Sequence, residues 1–134
     1  MNTKEIYCYP AVLTFEEGCE IAVTFPDFPG CATSGTDIAD AVVQGREALG
    51  LHIYGMECDG DEIPEPSDIA SVELEEGEYA AFIDVFMPTI RFKQRNKAIS
   101  RTVTIPAWLN AAAQERGVNF SQVLQDALKT ELAR

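Results

Sequence analysis

The charge of this chain reverses sign near residue 90, and one uniformly solvated surface does not explain the reversal. Residues 1–90 hold two basic side chains, Lys4 and Arg46, against 19 acidic ones, a net charge of −17. Residues 91–134 hold eight basic and three acidic side chains, a net +5, and the run Arg91-Phe92-Lys93-Gln94-Arg95-Asn96-Lys97 alone carries four cations. A chain of 134 residues is one domain of ordinary size or two small ones. So sharp a change of sign divides it into an acidic domain, 1–90, a basic linker, 91–98, and a second basic domain, 99–134, with different partners. The plainer alternative is a basic linker that only keeps an acidic domain in solution. The overall charge of −12 argues against nucleic acid only if it is evenly spread, which it is not.

The hydrophobic share of 46% is that of a globular protein. No apolar run approaches 18 residues and the start Met1-Asn2-Thr3-Lys4-Glu5 has no signal-peptide pattern, so the expected location is the cytoplasm, with no membrane partner. Cys8, Cys19, Cys31 and Cys58 form no CxxC pair and have no histidine at zinc spacing; they are expected to be reduced and mostly buried, and no metal or cofactor is expected.

In the acidic part, Ile6-Tyr7-Cys8-Tyr9 and Val12-Leu13-Thr14-Phe15 are rich in strand formers, and Glu20 to Phe25 alternates polar with apolar. A turn at Glu16-Glu17-Gly18 predicts a hairpin that pairs Phe15 with Cys19 and buries Ile21, Val23 and Phe25. Pro26 and Pro29 end the strand, and Cys31 to Gly35 leads into a helix capped by Thr36 or Asp37. Ile38, Ala41/Val42, Gly45, Ala48/Leu49, His52/Ile53 and Met56 recur at helical steps; Gly45 in that stripe suits a helix lying close on a sheet, and His52 reads as a core or edge residue. A long acidic connection, 57–78, precedes Tyr79 to Met87, long enough for a buried strand ended by Pro88. The order β-β-α-β is a compact α+β unit.

In the basic part, Ile99 to Ile105 alternates and stops at Pro106, which suits the first turn of a helix with Trp108, Leu109, Ala112 and Ala113 on its apolar side. Gly117 ends that helix as a left-handed cap, and Asn119 starts a second, with Gln122 in the capping-box position and Phe120, Val123, Leu124, Ala127, Leu128 and Leu132 as its stripe. One strand and two helices cannot cover their own apolar faces, whereas a second copy pairs the strands across a two-fold axis and packs four helices together. This is the ribbon-helix-helix arrangement, and the segment resembles it along its length. In that fold the outward strand residues, here Ser100, Thr102 and Thr104, read base edges in the major groove. Arg101 departs from the pattern, because its parity puts a charge on the inward face, from which it can reach out to a phosphate. The amides of Phe120 and Ser121 begin the second helix, and Arg95, Lys97 and Arg101 add charge toward the DNA backbone. The alternative is a dimerisation ribbon without DNA contact.

Tyr9-Pro10-Ala11-Val12, Phe25-Pro26-Asp27-Phe28-Pro29-Gly30-Cys31, Thr33-x-Gly35, the helix with Glu47-Ala48-Leu49 and Ile63-Pro64-Glu65-Pro66-Ser67 resemble, in order, the N-terminal domain of HicB antitoxins. The resemblance covers nearly all of residues 5–87. It implies a partial ribonuclease-H-like sheet and helix without ribonuclease activity, capping a small basic toxin of the HicA kind that cuts mRNA. It also implies repression of the antitoxin's own operon through the second domain, as a homodimer or a higher oligomer on operator DNA. Steric cover of such a toxin points to Asp27, Phe28 and Cys31 in the turn and to Asp37 and Asp40 at the helix start. A second reading is a stand-alone transcriptional regulator whose acidic domain senses a ligand or oligomerises. A metal-dependent nuclease is a third; it is disfavoured because the carboxylates scatter through turns and loops, with only Glu20 and Asp84 expected on strands.

Overall fold

The computed structural model describes residues 4–134 and divides the chain into two compact units, Met1–Lys97 and Ala98–Arg134. The first contains strands β1 (Ile6–Thr14), β2 (Ile21–Thr24) and β3 (Ala32–Gly35), helix α1 (Ile38–Asp59), a 3₁₀ turn at Ile69–Ser71, strand β4 (Glu78–Phe86) and helix α2 (Met87–Arg95). The second contains α3 (Ala107–Glu115) and α4 (Phe120–Leu132).

The strands form one antiparallel sheet in the order β3-β2-β1-β4. β1 and β4 pair along their whole length, from Ile6 opposite Phe86 to Thr14 opposite Glu78. Beyond the two ends, the Met87 amide donates to the Glu5 carbonyl (2.7 Å) and the Phe15 amide to the Gly77 carbonyl (2.8 Å). Odd-numbered β4 residues therefore aim their backbone groups at β1, and even-numbered ones aim theirs away. By the same parity Pro10 turns its nitrogen toward the β2 side, past Thr24, where β2 has ended, so a central strand accepts a proline without losing a ladder bond.

Three expectations change here. The order is β-β-β-α-β, because Ala32-Thr33-Ser34-Gly35 adds a strand beside β2. The hairpin pairs Val12 with Thr24 and Thr14 with Ala22, so it is shifted by two residues from a Phe15–Cys19 pairing. A two-residue shift keeps every side chain on its face, and Ile21, Val23 and Phe25 are buried as expected. β4 is not a buried strand but a sheet edge: Phe82 and Phe86, on the side away from the helix, are exposed, as is Tyr79 near the strand's start, while Ile83 and Val85 are buried beneath a helical cover.

That cover is α1. Asp37 caps it by accepting from the Asp40 amide (2.7 Å), and Gly60, at φ 73°, ends it. Ala41, Gly45, Leu49 and Ile53 face the sheet, whereas Ile38, also in the expected stripe, is exposed. A Cβ on Gly45 would lie 2.9 Å from Ile83 Cδ1 and 3.2 Å from Val23 Cγ1, so this glycine does set the close approach of helix to sheet. His52 is half-buried, edge-to-face on Phe28.

The stretch expected as the start of a basic linker is instead helical. α2 follows β4 without a loop, with Pro88 in its first turn, Met87 buried and Ile90 packed on the core. Arg91 makes a two-pronged ion pair with Glu57 of α1 (3.0 and 2.6 Å) and also donates to the Lys4 carbonyl (2.9 Å), tying α2, α1 and the start of the sheet together.

In the second unit the two helix caps are as expected. Gly117 is left-handed (φ 68°), and the pairs Val118 amide to Ala113 carbonyl and Gly117 amide to Gln114 carbonyl make a Schellman ending. Asn119 accepts from the Gln122 amide (3.1 Å), but the Gln122 side chain turns forward to Asp126 (3.0 Å), so only half of a capping box forms. Residues 98–106 carry no regular secondary structure, and the strand expected over 99–105 finds no partner among the described residues. Neither helix buries a residue: Trp108 is 72% exposed, and Phe120, Val123, Leu124, Leu128 and Leu132 are all exposed. The cysteines also differ from expectation, since Cys8, Cys19 and Cys58 are exposed and only Cys31 is buried. Cys8 lies on the face of β1 away from the helix, Cys19 in the turn before β2 and Cys58 in the last turn of α1, all outside the core. No helix among the described residues is long and apolar enough to cross a membrane.

Candidate functional site

The turn after β2 and the start of α1 are built from carboxylates that each carry a local structural bond. Asp27 accepts from the Ser67 amide (3.1 Å) and from the Ser67 hydroxyl, pinning the acidic connection to the turn. Asp37 is the α1 cap. Asp40 accepts from the Thr36 amide (2.9 Å) and from Gln44 (3.4 Å), and the amide bond above all holds its carboxyl below the usual range. All three side chains act as acceptors near the surface, Asp37 exposed and Asp27 and Asp40 half-buried.

Phe28 and Cys31 play a different part from the one expected. They are 2% and 6% exposed, so their side chains support the turn from beneath. Phe28 packs edge-to-face on Tyr9, with ring centroids 4.6 Å apart, and burial pushes the Cys31 thiol up, away from reactivity. Backbone bonds from the Phe28 amide to the Phe25 carbonyl and from the Cys31 amide to the Phe28 carbonyl (both 3.0 Å) close the turn. Beside it, the buried Tyr9 hydroxyl donates to the Pro64 carbonyl (2.5 Å), and burial is the main reason its pKa is pushed up to about 12. Tyr9–Pro64 and Asp27–Ser67 thus hold the connection on the sheet, although their partners lie 55 and 40 residues apart. The Ile63-Pro64-Glu65-Pro66-Ser67 motif was visible in the sequence; its partners were not.

The strand carboxylates of the nuclease reading are engaged elsewhere. Glu20, just before β2, accepts from Ser34 (2.6 Å), and Asp84 pairs with Arg46 (3.0 Å). Among the described residues no three His, Cys, Asp or Glu side chains converge as a metal site.

The basic candidates separate. Arg95 ends α2 and Lys97 follows it, both in the first unit, while Ser100, Arg101, Thr102 and Thr104 lie exposed in the unpaired segment of the second. With the boundary after Lys97, the first unit holds six basic and 19 acidic side chains, net −13, and the second four basic and three acidic, net +1. The positive charge read as a linker between the domains sits mainly on and just after α2, within the first unit. The amides of Phe120 and Ser121 at the start of α4 have no acceptor among the described residues, since Asn119 takes that of Gln122.

Comparison with known proteins adds a family to this geometry. Residues 9–127 match the family described as "HicB_like antitoxin of bacterial toxin-antitoxin system". A toxin–antitoxin complex from Streptococcus pneumoniae contains a chain that is 29% identical, with a TM-score of 0.63 over 94% of this chain and 99% of that one. A chain of a HicA3–HicB3 toxin–antitoxin complex is 26% identical, with a TM-score of 0.50 over 59% of this chain and 98% of that one. The Burkholderia pseudomallei antitoxin HicB shares the fold, at 24% identity and a TM-score of 0.54 over 91% of this chain and 96% of that one. In sequence, an uncharacterized 14.9 kDa protein of the rep–hol intergenic region of Haemophilus phage HP1 is 32% identical over 87 residues, 65% of each chain. The chain thus spans about two thirds of the length of that curated relative, 65%. With its match running from β1 into α4, this chain belongs to the HicB-like antitoxin family of bacterial toxin–antitoxin systems.

Proposed function

We propose that the protein neutralises a HicA-type mRNA-cleaving toxin by direct binding through its first unit, and represses its own operon through a dimeric ribbon-helix-helix formed by its second. The observation that carries this reading is the division of the chain into a folded unit of net −13 and a 37-residue unit that buries none of its own apolar side chains. An acidic surface competes with RNA phosphate for a basic ribonuclease and speeds the encounter. Asp27, Asp37 and Asp40 contact the toxin, on a turn shaped by Phe28 and Cys31. The uncovered stripes of α3 and α4 and the unpaired segment before Pro106 fit a second copy, which supplies both a strand and an apolar face. In that dimer Ser100, Thr102 and Thr104 face the major groove, while Arg95, Lys97, Arg101 and the Phe120 and Ser121 amides meet phosphates. The protein acts as a binder and not as a nuclease.

Co-expression with the small basic protein encoded beside it tests the first half: restored growth supports the antitoxin role, and continued arrest despite a soluble protein refutes it. Thr102→Ala with Thr104→Ala should weaken operator binding at least tenfold in a mobility-shift titration and leave neutralisation intact. Equal loss of both activities would contradict the division of labour. The stand-alone regulator reading gains ground if operator binding is strong and no basic partner co-purifies.

A further inference from the structure

The β4 edge is left open where an unguarded edge is a hazard. Free strand edges invite pairing with other chains, and proteins usually blunt them with charge, proline or a bulge. Here the outward-aimed backbone groups are those of the even-numbered residues, as fixed by the Met87–Glu5 and Phe15–Gly77 bonds at the two ends. The far half of the edge is guarded. Arg46 reaches from α1 around the strand, its Nε donating to the Asp84 carbonyl (2.9 Å) and its terminal nitrogen to the Asp84 carboxylate (3.0 Å). The near half, Ala80 to Phe82, has no such partner among the described residues. Its flanking side chains are apolar and exposed, with Tyr79 at 63% and Phe82 at 62%. On the helix side an open recess is lined by Leu13, Phe15, Ile38, Tyr79 and Ala81, with Phe15 and Tyr79 edge-to-face. On the opposite face Phe82 lies between Ala80 and Asp84, and the Asp84 carboxylate is held by Arg46.

We propose that the β4 edge at Ala80–Phe82 is a docking site for an extended segment of a basic partner protein, which adds a fifth strand to the sheet. This rests on the antitoxin reading, with the toxin as that partner. Main-chain bonds to Ala80 and Phe82 supply the pairing, and the alternating side chains of the added strand meet two different surfaces. One side enters the apolar recess. The other places a cation over the exposed Phe82 ring. A second copy of the chain is disfavoured as the occupant, because it would bring together two units of net −13.

The test uses the full chain and the small basic protein encoded beside it. Phe82→Pro removes an outward-aimed amide and leaves the β1 ladder whole, while Phe82→Ala keeps that amide. The expected result is at least a tenfold rise in Kd for Phe82→Pro, a smaller rise for Phe82→Ala, and at least tenfold slower hydrogen exchange at the Ala80 and Phe82 amides in the complex. Should Phe82→Pro fail to fold, Tyr79→Lys, which puts a cation at the recess, is expected to cost a similar factor. A complex that forms with these amides unprotected, or unchanged binding by folded Phe82→Pro or Tyr79→Lys, overturns edge docking and leaves the antitoxin reading standing. Failure of the wild-type chain to bind the basic protein overturns both. Concentration-dependent protection of the same amides in the free protein assigns the edge to a second copy and also overturns the proposal.

Discussion

Tyr9 carries more of the first unit than one strand position ordinarily does, because its ring lies in the core and its hydroxyl holds the acidic connection at Pro64. Replacing it with Phe keeps the ring and removes the bond, at a cost of about 1 kcal/mol at neutral pH. Its pKa, raised to about 12, fixes the sign of a pH effect. The folded state holds the phenol proton more tightly than the unfolded state, whose ordinary value is 10.0. The contribution is therefore complete below pH 10 and is lost as pH rises toward about 12. Urea midpoints measured at pH 7.5 and 11 should fall less with pH in Tyr9→Phe than in the wild type; equal slopes would remove this role. Gly35 is constrained differently: a Cβ there would sit 2.3 Å from the Ala41 backbone nitrogen. Backbone cannot swing aside as a side-chain end can, so Gly35→Ala should cost about 3 kcal/mol, against about 1 kcal/mol for Gly45→Ala, where the obstacle is the Ile83 methyl. Chemical denaturation of the two variants checks the order. Gly45 is legible in the sequence as a member of a helical stripe. Gly35 is not, because its obstacle is the first turn of α1 folding back on it.

Among the elements, α2 departs furthest from its sequence reading. Its cations suggest a solvated linker, yet Met87 and Ile90 pack on the core and Arg91 is held by Glu57 in a mostly buried pair. Arg91→Ala strands the Glu57 carboxylate and should lower stability by about 2 kcal/mol. Arg91→Met with Glu57→Leu should recover most of that loss in urea unfolding, since neither partner is then left charged and alone. β3 escaped notice because four residues of Ala, Thr, Ser and Gly carry little strand propensity; pairing with β2 makes them a strand. β4 was legible as a strand but not as an edge, since its run of apolar residues reads alike whether one face is covered or both.

For the whole molecule, the position of the boundary decides how the chain can be divided. A fragment ending at Lys97 keeps α2 and the Arg91–Glu57 pair and should unfold in one cooperative transition. A fragment ending at Ile90 loses that pair and should have a lower urea midpoint or fail to accumulate; equal stability of the two would place the boundary back at residue 90. The second unit supplies its own reporter in Trp108, the chain's single tryptophan. If two copies cover each other's helices, its emission should shift to shorter wavelength as protein concentration rises and return on dilution, and a constant red-shifted emission would contradict the dimer. The amino-acid sequence by itself determined the caps at Gly117 and Asn119, narrowed that of α1 to Thr36 or Asp37, and showed most of the α1 stripe and the reversal of charge, because each depends on residues a few positions apart or on composition alone. Only the tertiary structure decided which unit owns the positive charge and which strand is left at the edge. Those depend on partners such as Glu57 for Arg91 and β1 for β4, brought together across 34 or more residues by a core whose pairing no local pattern encodes.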